Sequence, residues 1–142
     1  MVDRLVQEGH EVVVVDNLST GKRRNLNRTA RFYKLDIQSW RLERVFRNER
    51  PNMVMHLAAQ MDVRKSVEDP IFDAQINVLG MLNMLQQAVR HGVRKVVFSS
   101  SGGAIYGEQE IYPAPETHIT RPLSPYGIIS CAGNYIYPTI NE

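Results

Sequence analysis

The sequence predicts an α/β domain in which a doubly wound parallel sheet is covered by helices, and three observations carry that prediction. Apolar, largely β-branched runs recur at "EVVVVD", "NMVMHLAA" and "RKVVFSSS", each too continuous for a strand with one wet face. Segments with helical spacing separate them, so the strands are joined by crossovers and not by hairpins. The order reads α-β-β-α-β-α-β-α, with no internal repeat and no low-complexity linker.

Each element has a local reason. "MVDRLVQEGH" puts Val2, Leu5 and Val6 on one helical face and stops at Gly9, yet no capping residue precedes it, so it reads as a helix whose start lies upstream. "EVVVVD" is a buried strand and "ARFYKLD" a weaker one. "SWRLERVFRN" is a helix with Ser39 placed to cap it and Leu42, Val45 and Phe46 facing inward. After the strand "NMVMHLAA", Asp69 as N-cap and Pro70 at the first helical position open the longest helix. Its predicted inner stripe is Ile71, Val78, Leu82, Leu85 and Val89, and Gly92 closes it. "RKVVFSSS" is the last strand, and "SPYGIISCAGNYI" starts the last helix.

Composition narrows the function classes. A chain of 142 residues fits one domain able to bury a core without disulfides or metal. With 43% apolar and 23% charged residues it has the usage of a folded globular protein, not of a disordered one. A net charge of +2 and a short mixed segment, "GKRRNLNR", give no basis for a nucleic-acid partner. The single cysteine, Cys131, excludes an internal disulfide framework and a cysteine-based zinc site; no metal is expected, and a reducing cytoplasm is the natural compartment. No apolar run approaches the roughly 18 residues of a membrane span, and no signal-peptide core is present.

In an open parallel sheet the ligand lies beyond the carboxyl ends of the strands, so the residues that end each strand are the informative ones. Asp16 ends the first. A carboxylate there can accept hydrogen bonds from both hydroxyls of an adenosine ribose while repelling a 2′-phosphate, or it can start an Asx turn in "DNLSTG". Asp36 with Ile37 can meet an adenine amino group and ring, or Asp36 can be an exposed strand-end carboxylate. Ala58 and Ala59 suit either close passage of a cofactor or tight packing.

Four segments in order, "LVQEGHEVVVVDNLSTGKRRNL", "VMHLAAQMDVRKSVEDP", "INVLGMLNMLQQAVRHGVRKVVFSSSGGAIYGE" and "RPLSPYG", resemble the extended short-chain dehydrogenase/reductases, the NAD-dependent sugar-nucleotide epimerases and dehydratases. The resemblance runs from Val2 to about Tyr126 and is nearest to members that epimerise UDP-hexoses at C4. It implies a Rossmann-like fold, NAD as cofactor and a nucleotide-sugar substrate. It matches Asp16, Asn17 and Ser19 to the adenosine-ribose segment, Asp36 and Ile37 to the adenine side, and Ala58, Ala59 and Gln60 to the segment that passes the cofactor. Asn77 matches an asparagine behind the active site, its other reading being a polar residue on the solvent side of the helix. Ser99 and Ser100 match the strand end near the nicotinamide, Ser101 the catalytic hydroxyl with Ser100 as the alternative, and Tyr126 the catalytic tyrosine. It also implies a homodimer through a helix bundle, with Leu82, Leu85 and Ile128 as contact candidates.

Two departures stand against that pattern. In "YGIISCAG", Ile129 occupies the place of a serine and Ser130 that of a lysine. An ammonium one helical turn away lowers a phenol's pKa and a neutral hydroxyl does not, so the chain is expected to be a poor catalyst. The pattern also places a first strand and a Gly-x-x-Gly-x-x-Gly turn ahead of Met1, between the strands of Val13 and Val54, and a substrate-binding part beyond Tyr137, where "PTINE" leaves it. Residues 1–142 are thus expected to be a partial NAD-binding Rossmann domain without its substrate domain, its sheet divided into two halves. The implied function is an impaired UDP-hexose 4-epimerase working by hydride transfer to and from NAD. The alternatives are a non-catalytic nucleotide-binding module or partner subunit, and a receiver-like α/β domain, which explains the alternation but not "SSSGGAIYGE" with "SPYG".

Overall fold

Strands form at the predicted runs: β1 (Val13–Asp16), β2 (Arg31–Lys34), β3 (Met53–His56) and β4 (Lys95–Phe98). The computed structural model describes residues 1–136, and the departure expected after Tyr137 lies outside them. β1 and β2 pair in parallel, Val13 opposite Arg31 through Asp16 opposite Lys34. β3 and β4 do the same, Met53 opposite Lys95 through His56 opposite Phe98. Among the described strands the two pairs share no ladder, so the sheet is divided as the sequence predicted.

A helical layer holds the two half-sheets together. Leu42 and Phe46 of α2 (Leu42–Glu49) meet Met81, Met84, Leu85 and Ala88 of α5 (Met81–Arg90), and Val15, Leu35, Val54, Val96 and Phe98 pack on that cluster from the sheet side. Fully burying side chains of this size stabilises by about 1.5–3 kcal/mol each, so this shared core takes over the role that continuous strand pairing has in an undivided sheet. The opposite face is open: Met53, Met55 and Val97 are exposed, and β1 is half-buried along its length. The expectation of strands covered on both faces is corrected to coverage on one.

The short helices follow their local signals in part. α1 (Val2–Gln7) turns at Gly9 with φ 84°, but it buries none of its residues. α2 carries Leu42, Val45 and Phe46 inward as expected, whereas Ser39 does not cap it: the N-cap is Arg41, whose N–H donates to Ser39 Oγ at 3.3 Å. α3 (Val63–Glu68) is capped by Asp62, and α6 (Gly102–Ile105) follows β4.

The longest helical stretch shows a register change. It begins as predicted, with Asp69 accepting from the Phe72 N–H at 2.9 Å and Pro70 first in α4 (Pro70–Ala74), and Gly92 stops it at φ 69°. Between α4 and α5, residues Gln75–Gly80 form a π-helical segment. A wider turn rotates everything after it, so the inward residues there are Met81, Met84, Leu85 and Ala88, while Leu82 and Val89 face solvent; Ile71, ahead of the segment, is exposed as well. Of the predicted stripe only Leu85 enters the core, and it is therefore not a dimer contact. α7 (Pro125–Ile136) packs beside α3, α4 and α6.

Candidate active site

The first cluster stands at the tips of β1 and β2. Asp16 Oδ1 accepts from the Leu18 N–H at 2.6 Å, an Asx turn that holds Leu18 at φ 59°. Its other oxygen has no hydrogen bond among the described residues, and a Cβ at Gly21 would come within 3.4 Å of it; glycine leaves that oxygen uncovered. Asn17 Nδ2 donates to Asp36 Oδ2 at 2.8 Å, while Asn17 Oδ1 accepts from the Ser19 N–H at 2.9 Å. Asp36 Oδ1 accepts from the Gln38 N–H at 2.8 Å. Asp16, Asn17, Ser19 and Asp36 thus gather at one pair of strand tips. Ile37 follows Asp36, and its side chain is buried against Gly80, where a Cβ would meet its Cδ1 at 2.6 Å.

β3 leads into the second group. His56 is buried and stacks on Phe98, ring centroids 6.0 Å apart, and burial lowers its pKa to about 4. Ala58 and Ala59 follow, half-buried and exposed respectively. Asn77 holds Gln60 at both backbone groups, its Oδ1 accepting from the Gln60 N–H and its Nδ2 donating to the Gln60 carbonyl, each at 2.8 Å. Asn77 is therefore neither a solvent-side residue nor a side chain with a free amide: both its atoms are engaged.

The third group stands at the end of β4 and the start of α7. Ser101 and Tyr126 line one cavity of about 450 Å³, together with Met61, Gly103, Ala104 and Ser124. Ser99 and Ser100 are exposed at the end of β4 and are not part of its wall. Tyr126 sits in the first turn of α7, where two orphan N–H groups need acceptors. The Gly127 N–H finds Ser124 Oγ at 3.1 Å, and the Tyr126 N–H finds Ser66 Oγ at 3.2 Å. Ser130, one turn later on α7, is buried.

Sequence reasoning missed Ser66 and Asp73, both fully buried, and the cavity residues Met61 and Ser124. Ser66 and Asp73 lie in or beside a resembling segment but have no motif of their own; their role depends on partners elsewhere in the chain. Among the described residues no three His, Cys, Asp or Glu side chains gather to hold a metal ion, and no helix is long and apolar enough to cross a membrane.

Residues 1–141 match the family described as "NAD dependent epimerase/dehydratase family". The chain belongs to this family. A UDP-glucose 4-epimerase of Mycolicibacterium smegmatis is 42% identical over 138 residues, covering 94% of this chain and 44% of that protein. The UDP-glucose 4-epimerase of Thermotoga maritima, solved with UDP-glucose, superposes with a TM-score of 0.94 at 46% identity, over 98% of this chain and 46% of that one. The enzyme of Thermus thermophilus, solved with NAD, gives 0.92 at 45% identity, over 97% and 45%. The chain thus spans somewhat less than half the length of these members of the epimerase/dehydratase family. Its α/β fold is the one these family members share.

Proposed function

We propose that this chain is the NAD-binding part of a UDP-hexose 4-epimerase, weakly active as it stands. The observation that carries the reading is the placement of Ser101 and Tyr126 on one cavity wall, at the end of β4 and the start of α7. Asp16, through its uncovered oxygen, would hold the adenosine ribose, with Asn17, Ser19 and Asp36 around it; Ala58, Ala59 and Gln60 would line the cofactor's path, with Asn77 fixing Gln60. NAD when bound supplies the hydride acceptor and donor. The chain's own part is to orient the sugar hydroxyl through Ser101 Oγ and to take its proton at Tyr126 Oη. No ammonium stands one turn after Tyr126, because that position is the buried, neutral Ser130; this is the physical reason for weak turnover.

The same observation supports a second reading, a nucleotide-binding module without hydride chemistry. Calorimetric titration with NAD and an assay with UDP-galactose separate the two. Slow turnover that Tyr126→Phe abolishes supports the epimerase, NAD binding with no turnover supports the module, and no NAD binding sinks both. The reading includes a cytoplasmic location and no nucleic-acid partner. It also includes a homodimer through Leu82 and Ile128, whose side chains are exposed on α5 and α7; Leu82→Glu with Ile128→Glu would then halve the mass in sedimentation.

A further inference from the structure

We propose that Asp73 is a positioning residue of this site, setting the Ala58–Gln60 loop and its neighbour Met61 through the side-chain amides of Gln60 and Asn77. The inference rests on the reading of that loop as the segment facing the cofactor.

Asp73 has no solvent exposure, and its Oδ1 accepts from Gln60 Nε2 at 2.8 Å and from Asn77 Nδ2 at 3.1 Å. The remaining hydrogen of each amide goes to the loop backbone, Asn77 Nδ2 to the Gln60 carbonyl and Gln60 Nε2 to the Asp62 carbonyl. The amide oxygens complete the frame, Asn77 Oδ1 accepting from the Gln60 N–H and Gln60 Oε1 from the Asp62 N–H. Two side chains therefore satisfy the main chain of Gln60 and Asp62, and one carboxyl oxygen joins those two side chains. Without Asp73 each amide keeps a hydrogen with no acceptor in a buried place, and the loop loses the tie that makes the two clamps act as one. Met61, between the two clamped residues, is part of the cavity wall that holds Ser101 and Tyr126. Displacing the clamps moves that wall.

The other oxygen, Asp73 Oδ2, is buried with no hydrogen-bond partner, and burial raises the carboxyl's pKa. The hydrogen bonds from Gln60 and Asn77 act against that rise, and all of the carboxyl's accepting is done by Oδ1. Asparagine keeps an Oδ1 that can accept from both amides, and alanine does not.

The test compares Asp73→Asn, Asp73→Ala and the unaltered full chain. Amide hydrogen exchange at Gln60 and Asp62 reads the loop without any cofactor, and calorimetry reads NAD affinity. The expected result is that Asp73→Asn keeps both within about two-fold. In Asp73→Ala, exchange at those two amides accelerates at least about ten-fold while the α5 amides stay protected, and NAD binds about ten-fold more weakly. Unchanged exchange at Gln60 and Asp62 in Asp73→Ala overturns the proposal, as does faster exchange with unchanged NAD affinity. If Asp73→Ala does not fold, Gln60→Ala, which removes one of the two clamps, must give the same loss of Asp62 protection and of affinity, and overturns the proposal if it does not. An unaltered chain that binds no NAD removes the cofactor reading, and the exchange rates still decide whether Asp73 holds the loop.

Discussion

The backbone N–H of Tyr126 donates to the hydroxyl of Ser66, 60 positions earlier, at 3.2 Å. Ser66 is fully buried, and its own hydrogen goes to the Val63 carbonyl at 2.7 Å. One hydroxyl thus binds α3 to the first turn of α7 and sets where the phenol stands on the cavity wall. Ser66→Ala takes its acceptor from the part-buried Tyr126 N–H, which costs about 1–3 kcal/mol. Urea denaturation should show a lower midpoint with an unchanged slope. An unchanged midpoint would mean that the bond contributes nothing.

Asp16 has two roles to separate, the Asx turn to Leu18 and the uncovered oxygen. Asp16→Asn keeps an acceptor for the Leu18 N–H and removes the charge, so stability should stay within about 0.5 kcal/mol. NAD affinity should fall about ten-fold, because a charged acceptor is replaced by a neutral one. Equal affinity in calorimetry would leave Asp16 with the turn alone.

At Gly127, α7 lies directly against α6. A Cβ there would lie 2.6 Å from the Ala104 carbonyl oxygen, a backbone atom that cannot turn aside, and 3.0 Å from Pro122 Cβ. Alanine gains about 1 kcal/mol of helix propensity over glycine. Overpacking costs about 1–3 kcal/mol, so the balance falls toward destabilisation. Thermal unfolding of Gly127→Ala should occur at a lower temperature; a rise would show that α6 and α7 separate freely.

His56 sets an acid limit. Its pKa is 6.5 when exposed and about 4 in its buried place beside Phe98. Because the folded value is the lower, the unfolded chain binds the extra proton first, and stability present above pH 6.5 is lost as pH falls toward 4. The loss is on the order of 3 kcal/mol across that window. Denaturation series from neutral to acid pH should show this slope in the unaltered chain and a flatter one in His56→Phe. Parallel slopes would assign the acid sensitivity to other groups.

Much of the fold was legible because its signals are local. β-branched runs gave the strands, Asp69 with Pro70 gave a helix start, and Gly92 with its left-handed φ gave a stop. Strand tips drew attention to Asp16 and Asp36, and the family resemblance to Ser101 and Tyr126. The inner stripe of the long helix was not legible, since the apolar residues of 71–89 fit two stripes one position apart. The π-helical segment at Gln75–Gly80 chooses between them, and it forms where Gly80 receives Ile37 and Asn77 grips Gln60.

The sequence by itself determined which residues are strands, which end them, and which family's pattern they follow, because propensity, capping and spacing act within a few positions. The tertiary structure alone decided that Ser101 and not Ser100 shares a cavity wall with Tyr126, that Leu85 is core and Leu82 is surface, and that Asp73 and Ser66 matter at all. Those outcomes depend on buried hydrogen bonds and packing between segments as many as 60 residues apart, and a buried polar group finds its partner only after the chain has closed around it.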